Sequence, residues 1–300
     1  ITLGADSVSI DELYALNAGV LENVYPVHAK EDKGEIPTFN FDGKCSASAA
    51  NKTSRPKVLI PVFPGTNCEY DSARAVTDAG AEAEIFVVKN RTADAIAQSV
   101  EEFAKKISDS QVIFIPGGFS GGDEPDGSGK FITAFFRNPE VRDATMELLK
   151  SRDGLMLGIC NGFQALVKLG LVPFGDIRPM DAACPTLTFN TIGRHQSRLV
   201  RTRVASDLSP WLSKCEVGDI HTVAISHGEG RFVANDEVLA SMKAAGQIAT
   251  QYVDAAGVPH DYITIEITES IIGSDFDFMK RQVKRFRALG FPVWMDDFGS

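Results

Sequence analysis

The hydrophobic rhythm changes along the chain. Residues 9–25, "SIDELYALNAGVLENVY", space their apolar positions at helical intervals and predict one amphipathic helix. The polar run "HAKEDKGEIPTFNFDGKCSASAANKTSRP" has little periodicity and reads as a linker. From Lys57 onward, continuous apolar runs alternate with helix-like ones. "KVLIPVF", "AEIFVV", "QVIFIPGG" and "GLMLGIC" read as strands; "DSARAVTDAGA", "TADAIAQSVEEFAKKI", "VRDATMELLKSR" and "NGFQALVKLG" read as helices. Strands covered on both faces are apolar throughout, so this order predicts an α/β fold with an open, mostly parallel sheet flanked by helices. Between about 184 and 253, "TLTFNTI", "SRLVRTRV", "HTVAIS" and "GRFVA" predict a β-rich, antiparallel extension. The chain closes on one more strand, helix, strand pattern: "YITIEIT", "DFDFMKRQVKRFRALG" and "PVWMDDF".

Composition narrows the function classes. At 300 residues and 44% hydrophobic content the chain can bury a full core, and its length suggests about two domains. A net charge of −10 argues against nucleic acid as a partner, because a polyanion is bound by clustered Lys and Arg. The basic run "KRQVKRFR" at 280–287 fits the wet face of a helix. Cysteines 45, 68, 160, 184 and 215 form no C-x-x-C pair, so neither a zinc site nor a disulfide framework is expected. No apolar stretch approaches a membrane span and no signal-peptide pattern opens the chain; a cytoplasmic protein is expected, with no membrane partner. A chain that starts at Ile1 and stops at "WMDDFGS" reads as a fragment.

The candidate chemistry centres on Cys160, where a strand run ends and a helix run begins. In an open α/β sheet that is the carboxyl edge, where sites gather. Gly158-Ile159-Cys160-Asn161-Gly162 is similar to the G-x-S-x-G elbow, whose small flanking residues permit the sharp turn that projects a nucleophile. The helix N-terminus just after it stabilises a thiolate. An acyl-transfer cysteine also needs oxyanion donors, and the backbone amides of Asn161 and of Gly118 in "PGGF" are placed to serve. A P-loop in "GGFSGGDEPDGSGK" fails its template, since Glu124 stands where Gly is required and Phe131 where Ser or Thr is.

"GICNGFQAL", "PGGFSGGDEPDGSGKF", "PVFPGTNCEYDSA" and "ISHGEGRF" together resemble the class I, triad-type glutamine amidotransferase domain of phosphoribosylformylglycinamidine synthases of the long single-chain type. The resemblance covers roughly 57 to 253, with residues 1–54 similar to the end of the synthetase portion and its linker, and the domain taken as 55–255. It implies hydrolysis of L-glutamine and delivery of ammonia to an ATP-dependent synthetase portion in purine synthesis. It implies Cys160 as nucleophile, Gly118 and Asn161 as backbone oxyanion donors, Gln164 near the glutamine, and the strand around Ser197 as a further contact. No cofactor is expected for this part; ATP and Mg belong to the synthetase portion.

A cysteine nucleophile wants a histidine, and a carboxylate to orient it. Read from the residues, His227 and Glu229 in "SHGEG" form an H-x-E pair on one strand face. The resemblance instead puts the base later, as His, any residue, Glu, Arg, and no such run follows "QIATQYVDAAG". Impaired hydrolysis is therefore expected. His28, His195, His221 and His260 read as surface or core histidines.

"YITIEITES" and "FPVWMDDFGS" resemble an EAL-type cyclic-di-GMP phosphodiesterase, a TIM-type barrel whose strand ends carry metal-binding carboxylates. That resemblance implies Glu266, Asp296 and Asp297 as vestigial Mg or Mn ligands in a partial domain at 260–300. About 40 residues of a barrel that needs roughly 200 or more should be inert. The expectation is a composite joined near 254–260. A non-catalytic docking domain for a synthetase partner, and a cyclic-di-GMP enzyme fragment, are the alternative functions.

Overall fold

The computed structural model describes residues 2–3, 6–21, 24, 38–41, 43, 51–122, 129–254, 265–268 and 293–296. In chain order its elements are β1 (Thr2–Leu3), β2 (Asp6–Ser7), α1 (Ile10–Gly19), β3 (Lys57–Val62), α2 (Glu69–Asp78), β4 (Glu82–Val87), α3 (Ala93–Ser108), β5 (Val112–Ile115), α4 (Lys130–Phe136), α5 (Pro139–Lys150), β6 (Leu155–Gly158), α6 (Asn161–Leu169) and α7 (Leu171–Phe174). There follow β7 (Thr186–Thr188), β8 (Gln196–Val204), β9 (Ile220–His227), β10 (Arg231–Val233), α8 (Asp236–Ala244), β11 (Thr250–Asp254), β12 (Ile265–Thr268) and β13 (Val293–Asp296).

The central sheet runs in the order β4-β3-β5-β6, and its neighbours pair in parallel. Side chains alternate across it as the strand period requires. Leu59 of β3, with Ile113 and Ile115 of β5, joins Phe103, Phe136, Val141, Leu148 and Leu169 from the helices in the larger core. Val58, Ile60 and Phe114 face the other way, against Ala73 and Val76 of α2. The helix ends are set by ordinary caps. The Thr92 side chain accepts from the Ala95 N–H at the start of α3, Asn138 caps α5 ahead of Pro139, and Gly170 ends α6 at φ 88°.

Two units can be distinguished, residues 1–197, 204–219 and 226–251 in one, and residues 198–203, 220–225 and 252–300 in the other. The first holds the parallel sheet and an antiparallel pair, β7 with β10, as the β-rich extension predicts. The described backbone of the second comprises the greater part of a three-stranded sheet, β11-β8-β9, and the parallel pair β12 with β13.

Three features depart from the sequence reading. The run "KFITAFF" forms α4, which buries Ile132, Thr133, Phe135 and Phe136; being apolar on nearly every side, it carries little amphipathic signature. The run "DEVLASMKA" forms α8, capped by the Asn235 side chain. Part of the expected linker is docked: the Phe39 N–H donates to Gln251 Oε1 (2.8 Å) and the Phe41 N–H to the Ala205 carbonyl (2.9 Å). Lys243 Nζ lies 4.8 Å from the centre of the Phe39 ring.

Candidate active site

The site is built where the sheet order reverses. The chain leaves β3 for β4 on one side and returns to β5 on the other, so the carboxyl ends of β3 and β5 flank a crevice. Two loops fill it, and an isolated antiparallel bridge between Thr66 and Gly118 ties them together. The Asn67 N–H donates to the Gly117 carbonyl (2.9 Å) and the Phe119 N–H to the Gly65 carbonyl (2.8 Å). Gly118 therefore occupies a non-hydrogen-bonded position, and its own N–H points away from Thr66. Only glycine fits there: φ is 119°, and a Cβ would lie 2.3 Å from the Gly65 carbonyl oxygen.

Cys160 sits on the turn from β6 into α6, at φ 53° and ψ −112°. A non-glycine residue with such a backbone is strained, as an elbow that projects its side chain requires. The flanking glycines make the turn possible. A Cβ on Gly158 would come within 2.6 Å of the Gly162 carbonyl, and one on Gly162 within 2.2 Å of the Ile115 carbonyl oxygen. Gly117 stands directly against the cysteine, since a Cβ there would be 3.2 Å from Cys160 Cβ and 3.8 Å from Sγ. The structure thus brings the exposed Cys160 thiol, the Gly117–Gly118 turn and the first amide of α6 to one place.

Gln164 lies one turn along α6, its N–H bonded to the Cys160 carbonyl (3.0 Å). Its side chain joins a run of amides. The Ser120 N–H donates to Asn161 Oδ1 (3.3 Å), Asn161 Nδ2 to Gln164 Oε1 (3.1 Å), and Gln164 Nε2 to the Glu229 carbonyl (3.2 Å). The "SHGEG" segment is therefore held beside the nucleophile's helix.

In that segment His227 is half-buried, with Nδ1 2.9 Å from Asn190 Oδ1. An amide oxygen only accepts, so Nδ1 carries the proton and Nε2 the lone pair. Burial, and then the neighbouring His195, push the His227 pKa down and favour the neutral ring. Asn190 also donates from Nδ2 to the His227 carbonyl (2.7 Å) and the Arg194 carbonyl (3.0 Å). The sequence reading did not find Asn190; nothing in "TFNTIGR" sets it apart from a turn asparagine. The exposed His195 places Nε2 2.9 Å from Ser226 Oγ. Cys68 was not singled out either. It begins α2 at φ 67°, and burial, then Asp71, Glu69 and Cys160, raise its pKa.

Ser197 lies exposed at the second position of β8, and His221 at the second position of β9. Glu266 and Asp296 fall in β12 and β13, where Glu266 pairs with Trp294 and Thr268 with Asp296. Asp297, His28, His260, the run 280–287 and Glu124 lie outside the described residues.

Residues 55–273 match the CobB/CobQ-like glutamine amidotransferase domain. The chain belongs to this family. It is 36% identical over 206 residues to the phosphoribosylformylglycinamidine synthase subunit PurQ of Methanococcus maripaludis, an alignment covering 68% of this chain and 69% of that protein. It is 31% identical over 202 residues to the subunit of the same name from Salinibacter ruber, covering 67% and 73%. A chain in the structure of PurLQS from Thermotoga maritima is similar at 25% identity and a TM-score of 0.48, over 68% of this chain and 77% of that one. The family match runs to residue 273, past the 254–260 junction expected from the sequence, and so includes Glu266. No helix among the described residues is long and apolar enough to cross a membrane.

Proposed function

We propose that this chain is the glutamine-hydrolysing part of a phosphoribosylformylglycinamidine synthase, with Cys160 as its nucleophile. The observation that carries the reading is the strained Cys160 elbow at the crevice of the parallel sheet, against Gly117 and Gly118. The thiolate attacks the side-chain amide carbon of glutamine, and the charge that develops on its oxygen falls to the N–H groups of Gly118 and Asn161. As that intermediate collapses, its nitrogen takes up a proton and leaves as ammonia, and the acyl group stays on Cys160 as a thioester. Water then releases glutamate and returns the thiol. Gln164, on the same helix, borders the substrate, with Ser197 a further contact. The ammonia would pass to a synthetase portion that carries the ATP and Mg chemistry; the relatives' name, a synthase subunit, is in keeping with a separate partner.

The proton step limits this chain. Among its 300 residues no His, any residue, Glu, Arg run follows "QIATQYVDAAG", and His227 with Glu229 is the remaining candidate. His227 has a neutral-favoured ring in its support, but Asn190 orients it, where a triad would use a carboxylate. Glutamine turnover should therefore be weak or absent while Cys160 still reacts with an electrophilic glutamine analogue. Glutaminase assays and mass-spectrometric labelling, with Cys160→Ala as control, test both halves. Robust Cys160-dependent turnover would sink the missing-base argument, and absence of labelling would sink the amidotransferase reading.

For residues 260–300 we propose descent from an EAL-type domain, although the amidotransferase family match extends to residue 273 and takes in the first of its two motifs. Its support is the pair of sequence motifs and the parallel register of β12 with β13, as in one strand, helix, strand unit. Glu266, Asp296 and Asp297 would be remnants of metal ligands. A titration with cyclic-di-GMP and Mn²⁺ checks this, with no binding expected.

A further inference from the structure

We propose that the side chain of Asn161 is a positioning residue that sets the distance between the two oxyanion donors. This rests on the amidotransferase reading and adds to it a role for a group that the reading leaves idle. The donors come from separate segments, Gly118 from the loop after β5 and Asn161 from the first turn of α6. The Gly118 loop is anchored on one side by the loop after β3, through Thr66–Gly118 pairing and the Gly121 N–H bond to the Pro64 carbonyl (2.7 Å). On its other side the Ser120 N–H, two residues beyond Gly118, donates to Asn161 Oδ1 (3.3 Å). The residue whose backbone supplies one donor thus holds, through its side chain, the loop that supplies the other.

That link is built to be rigid. Asn161 and Ser120 are both 1% exposed, so water does not compete for the bond. The far end of the Asn161 amide is fixed as well: Nδ2 donates to Gln164 Oε1, and Gln164 Nε2 donates to the Glu229 carbonyl. Each amide in the series has its orientation dictated by the next, so neither can turn over without losing a bond. A leucine at 161 would fill the same space without the bonds, removing the Ser120 anchor of the Gly118 loop while leaving its bonds to the loop after β3 in place. Displacement of a donor by a fraction of an ångström weakens transition-state stabilisation far more than ground-state binding.

The test uses the whole chain and two reagents. A glutamine-mimicking chloroketone reacts through a carbonyl that the donors polarise, whereas iodoacetamide reports only thiolate content and access. For Asn161→Leu, the maximal rate of chloroketone labelling at Cys160 should fall about 10- to 100-fold. The half-saturating concentration and the iodoacetamide rate should stay within about threefold, a split that a merely structural role would not give. If the parent is labelled and Asn161→Leu reacts equally fast, or if the iodoacetamide rate falls in parallel, the positioning role is overturned and the amidotransferase reading stands. If the chloroketone fails to label the parent, the amidotransferase reading falls and takes this proposal with it. Should Asn161→Leu not fold, as judged by circular dichroism, Asn161→Ala is decided by the same ratio of rates.

Discussion

At the scale of single residues, the elbow depends on the absence of side chains as much as on the presence of one. Adding a methyl to Gly162 would drive it to 2.2 Å from the Ile115 carbonyl oxygen, and Ile115 is buried in the central sheet. Gly162→Ala should therefore cost about 1 to 3 kcal/mol in denaturant melts and slow Cys160 labelling, because β5 and α6 must part. Gly228→Ala, where nothing lies within 4 Å and φ is not positive, should stay within about 0.5 kcal/mol of the parent. His227 offers a second residue-scale prediction. Burial and His195 depress its folded pKa below the unfolded value near ~6.5, so in that interval the unfolded chain binds more protons. Stability should rise with pH up to about 6.5 and gain nothing from this group above it. His227→Gln should flatten that part of the curve in urea melts across the interval; an unchanged slope would count against the burial account.

Among the elements, those legible in the sequence share one property: their burial leaves a periodic trace. The central strands β3 and β5 pack into a core on each face of the sheet, so they read as apolar runs. Helix α3 keeps a wet face and a Thr92 cap, and its period survives. By contrast α4 is short and sets its own Phe131, Phe135 and Phe136 against Phe63 and Phe103, so no polar face marks it as a helix. The docked stretch around Phe39 and Phe41 escaped for another reason. Two apolar residues at alternate positions inside a long polar run are too few to announce a strand-like contact, and the partners at Ala205 and Gln251 are far away in sequence. The site divides along the same line: Cys160, Asn161 and Gly118 follow from a local turn pattern, while the Asn190–His227 bond is visible only in three dimensions. The docked stretch makes an element-scale prediction. Phe41 is half-buried, so Phe41→Ala should lower stability by about 1 kcal/mol. It should also speed proteolytic cleavage around residues 38–56, read by mass spectrometry, without changing Cys160 labelling. Unchanged cleavage would mean that the stretch is held by something other than the ring.

At the scale of the molecule, the amidotransferase family accounts for residues 55–273 and the chain continues to 300. What residues 260–300, which overlap the end of that match, contribute can be argued from what a metal site of the EAL type needs. Mg²⁺ demands about six oxygen ligands in an octahedron, usually carboxylates backed by substrate phosphates and water. In the resembled barrel such carboxylates converge because many parallel strands end on one face. Here two four-residue strands pair, β12 and β13, with Thr268 opposite Asp296, so Glu266 lies two positions back along its strand from the residue facing Asp296. A pair of strands supplies one edge of that face and none of the closure that would bring further ligands to it. Removing residues 274–300 should therefore leave the rate of Cys160 labelling by the glutamine chloroketone within about twofold of the full chain, a small effect on the scale of catalytic contributions. Isothermal titration of the full chain with cyclic-di-GMP, with and without Mn²⁺, should give no saturable heat. A tenfold loss of labelling on truncation would make the tail part of the amidotransferase architecture, and metal-dependent binding of the dinucleotide would restore to Glu266, Asp296 and Asp297 a function that two strands ought not to sustain.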